Sequence, residues 1–437
     1  MAAVAQQQQQ QQQHPYAVLG GGTRDEIHCR RKVVGRPAHL RLDPGMARYC
    51  HVVSGKQAHK VFYEIHGRGP RKMLLLMGLG GTHAQFEPQL EYFGIRRADQ
   101  FTVCVADNRG VGLSDTPGGR WTSTALASDF LQLLIQLEHS RREGEGEGWA
   151  SGVHLIGFSM GGMVAQELAL MAPSRFASLT LIATHTGGLI GTIPPLRGWK
   201  PFIQTIGLVG GASSLDAGLN LLFPHEHLQL AIDPDELDLG DFPSEVPLTN
   251  NRLKYARAFI LRARKYIESD SEDPLRLGGV VKQTIAVMSH YVSWARLERL
   301  RSYKLEVLVV SGKQDNLVGH WNSRLLSEAL CARWLHFSDA GHGVAEQYAE
   351  PVNEAIEALV ANGEAKLAQS PQIATNRRPM APDTHPLQTF ALTAALTLFV
   401  LRKTLLGRVV APRTGRFLAL LAAVIVLRRR YGGTFAP

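Results

Sequence analysis

Seven short apolar runs recur along the chain, at residues 61–65, 72–77, 101–106, 153–157, 179–183, 306–311 and 333–337, with helical patterns between them at 122–139, 160–171, 322–331 and 344–360. Several runs are continuous rather than alternating, as in strands buried on both faces of a parallel sheet. The pattern predicts an α/β fold, a mostly parallel twisted sheet with helices on both faces. It breaks once. Between about 186 and 304 no strand pattern occurs, while residues 251–268 and 274–301 carry the helical period. An insertion of that length between core strands reads as a helical cap, with Gly187, Gly188, Pro194 and Pro195 as its entry loop or hinge.

The remaining segments have other textures. Residues 1–45 lack a period and contain an unbroken glutamine run from Gln6 to Gln13, a polar tract that cannot form a core and is expected to be disordered. Core sequence then fills residues 46–185 and 305–365 on either side of the cap. A Ser-, Pro-, Gln- and Asn-rich stretch at 366–386 reads as a linker, and 387–430 is apolar with basic flanks.

Composition changes the picture mainly through where the charge sits. The chain of 437 residues has a formal net charge of +9, but residues from Pro371 onward hold ten of the 47 basic side chains and one of the 38 acidic ones. The tail therefore carries the whole excess, the rest is neutral, and a nucleic-acid partner is not expected. The tail's two apolar stretches, 387–401 and 417–427, would span roughly 22 and 17 Å as helices, short of a hydrocarbon core of ~30 Å. Shallow insertion suits them better, with arginines such as Arg413 and Arg416 against anionic headgroups. The alternative is that they dock on the core domain. Cys29, Cys50, Cys104 and Cys331 lack metal-type spacing and read as reduced thiols. The expected setting is intracellular, membrane-associated and facing the cytosol.

Candidate chemistry sits at strand ends. Residues 155–162 read Leu-Ile-Gly-Phe-Ser-Met-Gly-Gly, a buried run breaking at Gly-x-Ser-x-Gly, which marks Ser159 as a nucleophile on a sharp strand-to-helix turn. The last core run is followed by Ser-Asp-Ala-Gly-His-Gly, offering His342 as the base, and the run before it leads into Asp315, which would orient that base. Asp339 is a distant substitute. The glycine-rich loop Met77-Gly78-Leu79-Gly80-Gly81 follows another strand, so the N–H groups of Leu79 and Met160 are the expected oxyanion donors. Gly78, His185, Tyr291 and Trp294 are expected to line or roof the substrate pocket. His83, His154, His185 and His290 lack paired spacing, so no metal site is expected, and no cofactor is implied.

At these residues the chain resembles the α/β-hydrolase-fold serine hydrolases of the lipase and esterase superfamily, over roughly residues 50–365. Asp-Asn-Arg-Gly-Val-Gly-Leu-Ser at 107–114 is similar to that family's Asp-x-Arg-Gly-x-Gly-x-Ser turn, in which Asp107, Arg109 and the nearby Asp115 are expected to act as scaffold. Met77-Gly78 stands where the family often has His-Gly, and Glu306 replaces a usual proline. The resemblance implies cleavage of a carboxylic ester through an acyl-enzyme on Ser159. A lipid-like ester such as a monoacylglycerol is the favoured substrate, with a thioesterase, an amidase or a catalytically silent membrane adaptor as alternatives.

Overall fold

The computed structural model describes residues 48–54, 57–139, 148–191, 194–198, 214–230, 277–369 and 377–382. The glutamine tract, the helical pattern at 251–268 and the apolar segments after 386 lie outside these residues. The chain divides into two units, 1–388 and 389–437, and every described residue belongs to the first.

Eight strands form one sheet. They are β1 (Arg48–Ser54), β2 (Gln57–Gly67), β3 (Arg71–Leu76), β4 (Phe101–Ala106), β5 (Val153–Phe158), β6 (Phe176–Ile182), β7 (Glu306–Gly312) and β8 (Arg333–Phe337). Their order is β1-β2-β4-β3-β5-β6-β7-β8, with β1/β2 and β2/β4 antiparallel and every other pair parallel. The main helices are α1 (Ser123–Glu138), α2 (Met160–Met171), α3 (Ser214–Leu222), α4 (Leu277–Met288), α5 (Trp294–Ser302), α6 (His320–Leu330) and α7 (Ala349–Gln369).

The two-residue period of the strands sorts the core into two layers. Leu74, Leu76, Leu155, Leu179, Leu181 and Val309 pack with residues of α1, α2 and α6 such as Phe130, Leu133, Val164, Leu168 and Leu326. Their neighbours Met73, Leu75, Val103, Val105, Ile156 and Val310 face the other way, against Phe86, Phe93 and the Val352, Ile356 and Leu359 stripe of α7. Helices therefore cover both faces, as the continuous apolar runs predict.

Four differences from the sequence reading have local causes. Strand β1 escapes the pattern because it is a half-exposed edge in which Cys50 and Val52 are buried between exposed neighbours. The helix expected over 274–301 is two helices. Between them Gly188 N–H donates to His290 O at 3.2 Å, Val292 N–H donates to Thr186 O at 2.7 Å and Tyr291 bridges Gly187, so the chain returns to residues 186–188. The helical pattern at 344–360 breaks after a first short turn, Val344–Gln347, and resumes as α7. That helix runs to Gln369, into the stretch read as linker.

Beyond it, Arg377 is buried and donates to Tyr303 O at 2.6 Å, Pro173 O at 3.1 Å and Phe176 O at 2.6 Å. Met380 N–H donates to Leu170 O at 2.9 Å. This piece of the expected linker is docked on the domain.

Candidate active site

Ser159 occupies a backbone conformation that its neighbours enforce. It sits between β5 and α2 with φ 54° and ψ −118°, a region costing a non-glycine residue of order 1–3 kcal/mol. The strain is held by Ser159 N–H donating to Ile182 O at 2.8 Å and by Thr184 Oγ1 donating to Ser159 O at 2.8 Å. The flanking glycines make the turn possible: a Cβ on Gly157 would strike the Gly161 carbonyl, and one on Gly161 would strike that of Leu76. Met160 is the first residue of α2, so its N–H has no carbonyl partner within the helix. Gly78 lies directly against the serine, since a Cβ there would come 3.1 Å from Ser159 Cβ.

The two other residues singled out at strand ends meet. His342 Nδ1 lies 2.8 Å from Asp315 Oδ2, both side chains 2% exposed. The second carboxylate oxygen, Oδ1, accepts Leu317 N–H and Val318 N–H at 2.7 Å each. With the carboxylate ionised, Nδ1 carries the proton, leaving Nε2 of the neutral ring as the basic lone pair. The imidazole is 5.1 Å, centroid to centroid, from Phe158, the residue preceding Ser159. Asp339 is engaged elsewhere, accepting from Tyr348 Oη at 2.5 Å.

Residues between β6 and β7 support these loops. Gly343 N–H, beside His342, donates to Leu222 O at the end of α3 at 2.8 Å, and the Phe223 ring packs on the same glycine. Arg197 Nη2 donates to Asp315 O at 3.1 Å. On the far side Arg296 of α5 pairs bidentately with Glu167 of α2 at 2.8 and 2.9 Å, both buried. Sequence reasoning missed all of these, since each links residues distant along the chain.

Among the expected pocket residues, His185 is buried and its Nδ1 accepts Gly187 N–H at 2.8 Å, which puts its proton on Nε2. Tyr291 is partly buried at the bridge to Gly187. Trp294 is 59% exposed at the start of α5, whose buried residues are Arg296, Leu297 and Leu300. Asp107 takes His83 N–H at 2.8 Å and Leu113 N–H at 2.9 Å, and Asp115 takes Lys60 N–H at 2.8 Å, so both carboxylates tie down the turn at 107–114. Arg109 is held by Asp129, its Nε 2.6 Å from Oδ2. Among the described residues no cluster of histidine, cysteine and carboxylate groups is arranged to hold a metal ion.

Burial holds three histidines neutral. Desolvation, reinforced by His290 and His342, pushes His185 down to about 3. Desolvation and Arg296 push His290 to about 3, and desolvation with Arg71 pushes His154 to about 4, all from a usual 6.5. Below pH 6.5 the unfolded chain binds protons that the folded chain refuses. Stability is therefore expected to be intact near pH 7 and to fall as the pH drops from about 6.5 toward 4, by roughly 1 kcal/mol per histidine per pH unit. Urea midpoints at pH 7 and pH 5 measure this, and replacing His154 by a neutral side chain such as glutamine should flatten the slope.

A family model described as the alpha/beta hydrolase fold matches residues 72–347. The chain belongs to that family. Among curated relatives it is 29% identical over 211 residues to RutD of Variovorax paradoxus (strain S110), whose assignment as a carbamate hydrolase is itself provisional, covering 46% of this chain and 71% of that one. It is 30% identical over 145 residues to 3-oxoadipate enol-lactonase 2 of Acinetobacter baylyi, covering 33% and 47%. Another RutD, from Azorhizobium caulinodans, is 34% identical over 125 residues, and this chain spans 40% of its length. Solved structures with the same fold include an esterase from Thermogutta terrifontis (19% identity, TM-score 0.50) and an enol-lactonase from Burkholderia xenovorans LB400 (19% identity, TM-score 0.51). Each covers 72% of this chain, with 98% and 100% of its own length matched. The protein is thus an α/β-hydrolase-fold chain.

Proposed function

We infer that the protein is a serine hydrolase cleaving a carboxylic ester through an acyl-enzyme. One observation carries the reading: a strained, glycine-flanked Ser159 and a buried Asp315–His342 pair follow parallel strands of one mostly parallel sheet. Ser159 Oγ attacks the ester carbonyl carbon while His342 Nε2 accepts the hydroxyl proton, and Asp315 stabilises the resulting imidazolium. Negative charge on the carbonyl oxygen is met by the N–H groups of Leu79 and Met160. The tetrahedral intermediate collapses, His342 returns the proton to the departing alcohol, and water repeats the sequence to free Ser159. No cofactor takes part.

The substrate is proposed to be lipid-like, such as a monoacylglycerol, with the catalytic domain held on the cytosolic side of an anionic membrane by the apolar, basic-flanked segment at 387–430. The support is the sequence of that segment and the length of the insertion between β6 and β7. Relatives named for carbamate and enol-lactone hydrolysis favour a second reading, a small polar acyl substrate attacked by the same three groups.

The full-length protein should be assayed on a series of monoacyl esters, from two to eighteen carbons, beside a matched thioester, amide, carbamate and lactone, with long chains presented in anionic and neutral vesicles. Each methylene transferred to an apolar pocket contributes about 0.8 kcal/mol. At least about tenfold higher kcat/KM for long chains, and faster turnover in anionic vesicles, is expected. Equal turnover of short and long esters removes the lipid reading, and faster cleavage of the carbamate or lactone replaces it with the second.

A further inference from the structure

The cap reaches the loop that carries the proposed oxyanion donor through one buried side chain. Gln283 of α4 is fully buried; its Oε1 accepts Gly80 N–H at 2.9 Å and its Nε2 donates to Arg109 O at 2.9 Å. One turn earlier on the same face, Gly279 packs backbone to backbone on Gly110, so close that a Cβ on either glycine would overlap the other's main chain. Helix α4 is therefore seated on the turn at 107–114, and Gln283 spans from that turn to residues 78–81. The amide satisfies one donor and one acceptor that its burial would otherwise strand.

What it satisfies in the glycine loop matters. Gly81 N–H donates to Gly78 O at 3.2 Å, closing a four-residue turn, and Gly80 at its third position has φ +70°. A positive φ there is the mark of a type II turn; the type I alternative differs by a flip of the peptide joining the second and third residues, here Leu79 and Gly80. The N–H of that peptide is the group Gln283 accepts. Without that acceptor the peptide is free to flip and the turn loses its tie to α4, and the turn's second residue, Leu79, bears the expected oxyanion donor on the preceding peptide.

We propose that Gln283 is a positioning residue of the cap, which anchors the 78–81 turn through the Gly80 N–H and so holds Leu79, whose own N–H lies on the preceding peptide, in place to face the developing oxyanion; this rests on the serine-hydrolase reading above. The cap thereby contributes to catalysis through the geometry of the hole, with no contact to the substrate required of Gln283 itself. Nothing in residues 277–288 beyond a glutamine on the otherwise apolar Gly279/Gln283/Ala286 stripe signals this.

Two variants and their combination test it. Gln283→Met keeps the length and removes both bonds. Gly80→Ala leaves Gln283 in place and makes the positive φ unfavourable, while nothing lies within 4 Å of where the new Cβ would sit, so it does not crowd the fold. Each is expected to lower kcat and kcat/KM together by about tenfold to a hundredfold with KM within twofold, because only the transition state uses the hole. The Ki of a trifluoromethyl ketone, whose hemiketal places an oxyanion there, should rise by the same factor. The double variant should lose little more than the worse single one, since both release the same turn.

A folded Gln283→Met with unchanged kcat and unchanged ketone affinity overturns the proposal, as does a change confined to KM. If that variant does not fold, an unaltered Gly80→Ala overturns it instead. Wild-type turnover that survives Ser159→Ala would instead show the underlying reading to be wrong, and the proposal would fall with it.

Discussion

Replacing Ser159 by alanine is expected to lower kcat by about five orders of magnitude or more and to abolish labelling by a fluorophosphonate probe, with little change in folding. The size follows from the role proposed: with the nucleophile gone no acyl-enzyme can form, and what remains is the effect of binding and the oxyanion donors on attack by water. The unchanged fold follows from the local structure. The interactions holding Ser159 are made by its main chain, to Ile182 O and from Thr184 Oγ1, so the hydroxyl can be deleted without releasing the turn. Alanine inherits the positive φ without relief or added cost. Melting temperatures within a few degrees, beside lost activity, would establish the chemical role. Retained labelling would place the nucleophile elsewhere, and a folded wild-type protein that never labels would favour the adaptor reading.

The parts of this arrangement that were legible in the sequence are those whose physics is local. Ser159 stands out because its strand run, its flanking glycines and the helix after it are contiguous. Asp315 and His342 stand out because each follows a strand, and the order of strands in a parallel sheet brings such ends to one edge; the structure shows the two in contact. What was hidden depends on partners far away in the chain. The break after α4 is made by pairing with residues 186–188 and by His290 lying 2.8 Å from Ser123, neither of which leaves a mark in the helical period of 274–301. Arg377 lies in a stretch whose composition says linker, yet the three carbonyls it binds come from residues 173, 176 and 303. At the start of α5 the sequence draws attention to Trp294, which is 59% exposed, whereas Arg296 two places on, buried and paired with Glu167, gives no signal in the sequence.

Asp315→Asn is expected to cost about 10⁴ in kcat, a larger loss than its near-identical shape suggests, and the direction is set by which oxygen does what. Oδ1 takes two backbone N–H groups, from Leu317 and Val318, whereas Oδ2 faces His342 Nδ1. An asparagine keeps the first pair of bonds by putting its carbonyl oxygen there, which turns its NH2 group toward the histidine. Donor then faces donor, and the imidazole escapes by moving its proton to Nε2 so that Nδ1 accepts. In that tautomer the nitrogen needed to take the proton of Ser159 already carries one, so general-base catalysis fails although the ring has not moved. The flipped alternative would leave two buried N–H groups facing an amide NH2, at roughly 1–3 kcal/mol each, and is disfavoured. Asp315→Ala leaves the tautomer free to vary and should retain as much activity as the asparagine variant or more. Steady-state kinetics on the preferred ester give the rate loss, and proton NMR reports the tautomer through disappearance of the downfield Nδ1–H resonance. Activity of Asp315→Asn within tenfold of wild type, with that resonance intact, would show that Asp315 does not orient His342 for catalysis.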